Sequence, residues 1–267
     1  TSSESMIRNS VAIVTGGGRG IGRAIAESLL VRQARRVIVA DLNEATGGQA
    51  VQELNETHGS GRCHFVRCSV TDRAELRRVF QKAIELDGRV DIVANNAGVA
   101  NEADPDLTID VNVKGVIYGS QMAVEFMSKQ SGGHGGVVIN TASAAGLFTS
   151  AYVPAYTASK HAVVGWTGSM GSEPHLSTHG VRFNCLCPAF IKTDMVMDSF
   201  KPGNQSTLMS DKLKKKMAEN QALIPMSLLT DQFVRLVEDP QQFNGYAVSI
   251  LPPDEVQYID KSMKSSV

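Results

Sequence analysis

"VAIVTGGGRGIG", residues 11–22, joins a strand, a turn and a helix start within one short stretch. Residues 11–15 form a continuous apolar run that stops at glycines, the pattern of a strand buried on both faces. Residues 20–32 then place Ile21, Ala24, Ile25 and Leu29 at helical spacing. A strand that feeds a helix through glycines brings free backbone N–H groups to one point, where an anion can sit. Gly16, Gly20 and Gly22 depart from the spacing G-x-G-x-x-G. The physics is the same, because missing side chains let backbone approach a pyrophosphate. A plain glycine-rich turn is the alternative, and the strand–loop–helix context argues against it. Asp41 ends the next apolar run, "RVIVAD" (36–41), nineteen residues after Gly22. An acid about 20 residues beyond such a loop suits a hydrogen bond to an adenine-ribose hydroxyl and repels a 2′-phosphate. That favours NAD over NADP. Arg19, inside the loop, argues the other way, but Leu42 beside Asp41 offers no base.

Outward from this unit, strand-like and helix-like segments alternate. "HFVRCSV" (64–70) reads as a third strand, and residues 73–86 as an amphipathic helix carrying Leu76, Val79, Phe80, Ala83 and Ile84. "VDIVANNAG" (90–98) is a strand running into a turn. A helix is expected from about Asp110 to Gln130, then a strand in "GGVVINTAS" (135–143) and a helix in "AYTASKHAVVGWTGSM" (155–170). "VRFNCLCP" (181–188) and "GYAVSIL" (245–251) complete the strands. Apolar strands separated by helices imply a parallel sheet covered on both faces. The expected fold is therefore a single α/β domain over residues 1–267, a Rossmann-type doubly wound parallel sheet. The stretch 194–230 interrupts the rhythm with Met195, Met197, Met209, Met217 and Met226, and reads as an insertion over the site.

Composition narrows the function classes. The chain has 267 residues, 42% apolar and 20% charged, with a net charge of −1. A near-neutral balance argues against nucleic acid as partner, and "KLKKK" (212–216) reads as a solvated helix face. Cys63, Cys68, Cys185 and Cys187 form neither a Cys-x-x-Cys pair nor a zinc pattern, so no metal is expected. Cys185 and Cys187 should face one side of a strand. Buried free thiols fit a reducing cytoplasm. The polar opening "TSSESMIRNS" lacks a signal-peptide apolar core, and no apolar stretch approaches a membrane span.

"YTASK" (156–160) places a phenol and an ammonium at i and i+4, on one helix face. Alone, that spacing is as compatible with a wet surface helix. A serine hydrolase built on Ser143 with His161 or His175 is a competing reading, but "TASAA" is not a G-x-S-x-G elbow.

"TGGGRGIG", "NNAG" (95–98), Ser143 followed thirteen residues later by Tyr156, and Tyr156-x-x-x-Lys160 together resemble the short-chain dehydrogenase/reductase family. The match runs from Val11 to Ile250. "NNAGVANE" (95–102) and "MSKQSGGHGGVVINTASAAGL" (127–147) look like the branch that contains 15-hydroxyprostaglandin dehydrogenase. The resemblance implies an NAD-dependent oxidoreductase acting on a secondary alcohol or ketone; a scaffold that binds NAD without turnover is a competing reading, against which the Ser143–Tyr156–Lys160 set argues. Tyr156 would be the general acid/base. A free phenol titrates near 10, so work near neutrality needs a drop of about three units, roughly 4 kcal/mol. Lys160 is expected to supply part of it by favouring phenolate, and to hold the nicotinamide ribose. Ser143 would hydrogen-bond the reacting oxygen, and Asn112 would support a proton-relay water.

Around the cofactor the resemblance implies the glycine loop with Ile21, then Ser69 and Val70, then the Asn95, Ala97 and Gly98 turn beside the adenosine. Pro188, Ile191 and Thr193 would border the nicotinamide. Ala145, Val153, Phe190 and Met195 would face substrate, which is expected to be lipophilic given Leu147, Phe148, Val196, Met197 and Phe200 nearby. Three positions depart from the family: Ser69 replaces a common Asp, Ala189 a Gly, and Val153 the Gln of the prostaglandin branch. A homodimer or homotetramer is expected through helices near 112–130 and 155–172.

Overall fold

Neighbouring residues of each central strand point to opposite helical layers. Val11 and Ile13 of β1 (Val11–Thr15) join one apolar cluster and Ala12 and Val14 the other. Val138 in β5 (Gly136–Thr141) faces with Val11, while Val137 and Ile139 face with Ala12. Such two-sided burial is why these strands read as unbroken apolar runs. The computed structural model describes residues 5–198, 219, 223–239 and 243–263.

The other main elements are α1 (Gly20–Val31), β2 (Arg36–Asp41), α2 (Glu44–His58), β3 (Cys63–Arg67), α3 (Arg73–Asp87) and β4 (Ile92–Asn95). Next come α4 (Pro105–Ile109), a π-helical turn (Asp110–Lys114), α5 (Gly115–Met127), α6 (Pro154–Met170), α7 (Glu173–His179) and β6 (Val181–Pro188). The chain continues with β7 (Phe190–Ile191), α8 (Asp194–Asp198), β8 (Leu223–Ile224), α9 (Met226–Glu238), β9 (Tyr246–Leu251) and β10 (Glu255–Asp260). The eight-stranded sheet runs β3-β2-β1-β4-β5-β6-β9-β10. All neighbours are parallel except β9 and β10. From β1 the chain winds outward to β2, then returns to β4 on the other side. That reversal opens a crevice beyond the carboxyl ends of β1 and β4.

The single α/β domain matches the expected fold class, with differences. β3 stops at Arg67; the Cys68 N–H makes the last bond to β2, to the Asp41 carbonyl at 2.9 Å, and Ser69 and Val70 beyond it lie in the loop. The helix expected from Asp110 starts at Pro105, where the Asp104 carboxylate accepts from the Leu107 N–H at 2.9 Å. The sheet is not wholly parallel, because β10 folds back against β9 after the Pro252–Pro253 corner. Most of the expected insertion, including Phe200, Met209, Met217 and "KLKKK", lies outside the described residues. Among the described residues no helix is long and apolar enough to cross a membrane.

β6 carries an arginine within its apolar run. Arg182 is 5% exposed, and its guanidinium donates to the carbonyls of Leu236 (3.0 Å), Phe243 (2.9 Å) and Val237 (2.9 Å). Leu236 and Val237 lie in the last turn of α9, whose carbonyls have no helical partner. Burial pushes the guanidinium down to about 10, so it stays charged at neutral pH. Arg182→Leu leaves these carbonyls unpaired, at about 1–3 kcal/mol for each buried group. The expected loss in urea unfolding is about 3 kcal/mol or more; a loss under about 1 kcal/mol would remove Arg182 as the anchor of α9.

Candidate active site

The crevice is a cleft of about 710 Å³ over the carboxyl ends of the central strands. Its floor is the glycine loop. Gly16 adopts φ +63°, and a Cβ on Gly22 would stand 2.2 Å from the Gly16 carbonyl oxygen. Gly22 does not line the cleft; its bare Cα lets the loop fold tightly onto the start of α1. Gly16, Arg19, Gly20 and Ile21 do line it. Asp41 braces this loop, one carboxylate oxygen accepting from the Gly18 N–H (2.9 Å) and the other from the Asn43 N–H (3.0 Å). Asp41, Leu42, Ser69 and Val70 form one end of the cleft, together with Asn43 and Cys68. Arg19 and Asp194, both 68% exposed, pair at 3.3 Å across the mouth.

The "NNAG" turn is sewn to β1. Thr15 Oγ1 accepts from the N–H groups of Asn96 (3.0 Å) and Ala97 (3.1 Å), and Asn96 Nδ2 donates to the carbonyls of Thr15 (3.1 Å) and Gly16 (3.2 Å). Ala97 and Gly98 line the cleft. Asn95 does not: strand alternation turns it inward, where its amide donates to Asn140 Oδ1 (2.9 Å) and Ser120 Oγ (3.4 Å). Asn96 holds the cleft position expected of Asn95. Asn112 is also absent from the lining. Its Oδ1 accepts from the Val99 N–H (2.8 Å), and its Nδ2 donates to the Val99 carbonyl (2.8 Å) and Ser159 Oγ (3.0 Å). That fills its two donors and one lone pair of Oδ1, which leaves a water only the second lone pair of this side chain.

Ser143, Tyr156 and Lys160 all line the cleft. Ser143, two residues beyond β5, caps a short 3-10 turn (Ala144–Gly146); its hydroxyl accepts from the Ala145 N–H (3.2 Å), which gives Ala145 a bracing place rather than a place in the lining. Val153, at the N-cap of α6, and Phe190, in β7, also lie outside the lining, whereas Met195 is in it. Pro188, Ala189, Ile191 and Thr193 close the far side, with Val99, Val111 and Thr141. These three were not singled out by the sequence: Val99 and Thr141 fall inside quoted stretches without a role of their own, and Val111 lies in the π-helical turn. Neither histidine of the hydrolase reading is bonded to Ser143. His161 Nδ1 lies 3.0 Å from the Thr157 carbonyl, and His175 stacks on His179.

A glycine-loop cleft and a Ser–Tyr–Lys wall in this order agree with the match of residues 10–204 to the family model described as short chain dehydrogenase. The chain belongs to the short chain dehydrogenase family. It is 36% identical over 255 residues to human 15-hydroxyprostaglandin dehydrogenase [NAD(+)], covering 95% of each chain. The rat protein of the same name is 36% identical over 256 residues, again covering 95% of each. The crystal structure of a 3-ketoacyl-(acyl-carrier-protein) reductase from Brucella melitensis, complexed with NADH, has a TM-score of 0.77 at 22% identity. The match covers 92% of this chain and 98% of that one, a likeness of fold.

The electrostatics of this short chain dehydrogenase differ from the expectation for Lys160. The ammonium donates to the Thr141 carbonyl at 2.8 Å and lies 5.4 Å from the centre of the Tyr156 ring. Burial pushes the Tyr156 phenol up from its ordinary value; the Ser143 hydroxyl, which hydrogen-bonds it, acts the other way. Desolvation, not the Lys160 charge, sets the direction of the phenol's shift. The same burial brings Lys160 down from 10.5 to about 8. Below pH 8 folded and unfolded chains both carry this proton, and the folded one bears the full cost of the buried charge. Between about 8 and 10.5 the unfolded chain holds more protons, so stability rises with pH in that window. Relative to Lys160→Met, wild type should gain up to about 3 kcal/mol between pH 7.5 and 10.5, read from urea unfolding. A constant difference across that range would contradict a depressed Lys160.

Proposed function

We propose that this chain is an NAD-dependent oxidoreductase that interconverts a lipophilic secondary alcohol and its ketone. The carrying observation is Ser143, Tyr156 and Lys160 on one wall of a cleft whose floor is the Asp41-braced glycine loop. The cleft suits a dinucleotide: a Cβ at Gly20 would come within 3.5 Å of Thr193 and narrow the passage between loop and wall. Gly16–Ile21 and Thr193 would hold the pyrophosphate, and Lys160 the nicotinamide ribose. NAD, when bound, supplies the hydride acceptor.

The chain's own groups handle the proton. Tyr156 Oη takes the hydroxyl proton in oxidation and returns it in reduction, and Ser143 Oγ hydrogen-bonds the reacting oxygen. Burial holds the phenol protonated, which suits ketone reduction at neutral pH; oxidation should gain as pH rises. Asp41 uses one lone pair on each oxygen for Gly18 and Asn43, leaving acceptor capacity for a ribose diol. Its charge opposes a 2′-phosphate. Arg19, the one base that argued for NADP, is turned toward Asp194.

Support for a lipophilic substrate comes from Met195, which lines the cleft and is 40% exposed, with Val196 beside it in the lining. Thioether side chains adapt to varied apolar shapes. The relatives named 15-hydroxyprostaglandin dehydrogenase support a prostaglandin as one candidate of this class; Val153, in place of Gln, is the departure that weighs against that choice. A non-catalytic scaffold would keep the glycine loop without needing the Ser–Tyr–Lys set. The same reading carries assembly as a homodimer or homotetramer, with Ala158, Ala162 and Gly165 exposed along α6.

NAD reduction against a homologous series of secondary alcohols tests the function. kcat/KM should rise with each added carbon, at about 0.8 kcal/mol per buried CH₂; a flat series, or a preference for polyols, sinks the apolar site. Tyr156→Phe should lose about 10²–10⁴-fold in kcat with NAD affinity largely kept; more than a tenth of wild-type kcat remaining would move the acid/base elsewhere. Asp41→Ser should narrow the gap between NAD and NADP in kcat/KM, and a wild type that prefers NADP would overturn the role given to Asp41.

A further inference from the structure

α6 begins without a cap of its own. Val153 at its N-cap offers no side-chain acceptor, and Pro154 has no N–H. The Thr157 N–H bonds the Val153 carbonyl at 2.8 Å, which leaves the N–H groups of Ala155 and Tyr156. These are the two that a capping side chain at position 153 would ordinarily satisfy. Both are taken by a residue more than fifty positions earlier in the chain. Glu102 Oε2 accepts from the Ala155 N–H at 2.9 Å, and Oε1 accepts from the Tyr156 N–H at 2.9 Å.

Glu102 sits in the loop between β4 and α4, and that loop is itself fixed. Asn101 exchanges hydrogen bonds with the buried Thr108, its N–H donating to Oγ1 (3.2 Å) and its carbonyl accepting from it (2.8 Å). Val99 is clasped by the Asn112 amide. The same Asn112 donates to Ser159 Oγ, which in turn donates to the Tyr156 carbonyl at 2.7 Å. Residue 156 is thus held at its N–H by Glu102 and at its carbonyl through Ser159, and both ties return to the loop that carries Ala97, Gly98 and Val99 into the cleft.

We propose that Glu102 is a positioning residue: its carboxylate caps α6 in trans and fixes Tyr156 relative to the cofactor side of the cleft. The inference rests on Tyr156 acting as the acid/base. A carboxylate also suits the positive end of a helix, and it frees position 153 from the capping task.

Three variants test it: Glu102→Ala, Glu102→Gln, and Glu102→Ala combined with Val153→Asp, which supplies a cap within α6 itself. A displacement of about 1 Å can cost on the order of 10²-fold in rate. Glu102→Ala should therefore lose about 10–100-fold in kcat, while the alcohol KM and the NAD dissociation constant move less than about threefold, within the range of an untouched binding site. Glu102→Gln, which keeps one acceptor, should fall between it and wild type. The double variant should regain most of the lost kcat. The proposal is overturned by a Glu102→Ala kcat within about twofold of wild type, by a kcat loss matched by an equal loss of NAD affinity, or by a double variant that recovers its thermal midpoint but not its kcat. If wild type turns over no secondary alcohol, the functional reading fails separately. Hydrogen exchange at Ala155 and Tyr156 then decides the cap: protection lost in Glu102→Ala and regained in the double variant supports it, and unchanged protection overturns it.

Discussion

Everything in the cleft depends on one close approach of backbone to backbone. At the end of β1 the chain must turn so sharply that α1 starts against the carbonyl it has just left, and a methyl on Gly22 would lie 2.2 Å from the Gly16 oxygen. The tight turn aims the first N–H groups of α1 into the crevice between β1 and β4. It also places Gly16 where Asn96 can reach it, so the floor and the neighbouring turn are set as one piece. Asp41 then fixes the loop from the other side through Gly18.

A second layer of order is polar and buried. Asn95 reaches Asn140, whose own amide donates to Thr167 Oγ1 at 2.9 Å, and Thr167 lies on α6. Asn112 and Ser159 make a parallel route to the same helix. Polar groups buried this deeply are costly unless paired, so each route tolerates little displacement. The helix that carries Tyr156 and Lys160 is therefore registered to the central strands by hydrogen bonds with fixed geometry, on top of the apolar contacts of Val163 and Val164. Apolar packing alone would permit more sliding, because it has little directionality.

The central strands and the glycine loop were legible because burial on both faces leaves an unbroken apolar run and tight turns leave glycines. Tyr156, Lys160 and Ser143 were legible through the family resemblance, since their spacing alone fits a surface helix as well. α2 was not, since Gly47 and Gly48 and a polar surface blur its period; Gly47 is needed because a Cβ there would meet the Phe65 ring at 2.1 Å. The choice between Asn95 and Asn96 turns on where β4 ends, since Asn95 is its last residue and Asn96 opens the turn, and two adjacent asparagines give no hint of it. Glu102 and Arg182 act on N–H and carbonyl groups of distant helices. Such partnerships, 54 positions apart for Tyr156 and Glu102, leave no local pattern. The direction of the Tyr156 shift was also hidden, because desolvation depends on the packing around the ring and not on the cation one turn away.

The hairpin formed by β9 and β10 has a consequence for how the molecule behaves in a crowd. β10 is the last of the described strands at one side of the sheet, and an outermost strand offers unpaired backbone groups to any passing chain. Here that border follows two prolines and carries Glu255 and Asp260 at its two ends, with Lys261 beyond. Charges and prolines at such a margin discourage another sheet from docking in register. The strand that extends the sheet thus also blunts it, and colloidal restraint is built into the place where a wholly parallel sheet would have stopped at β9.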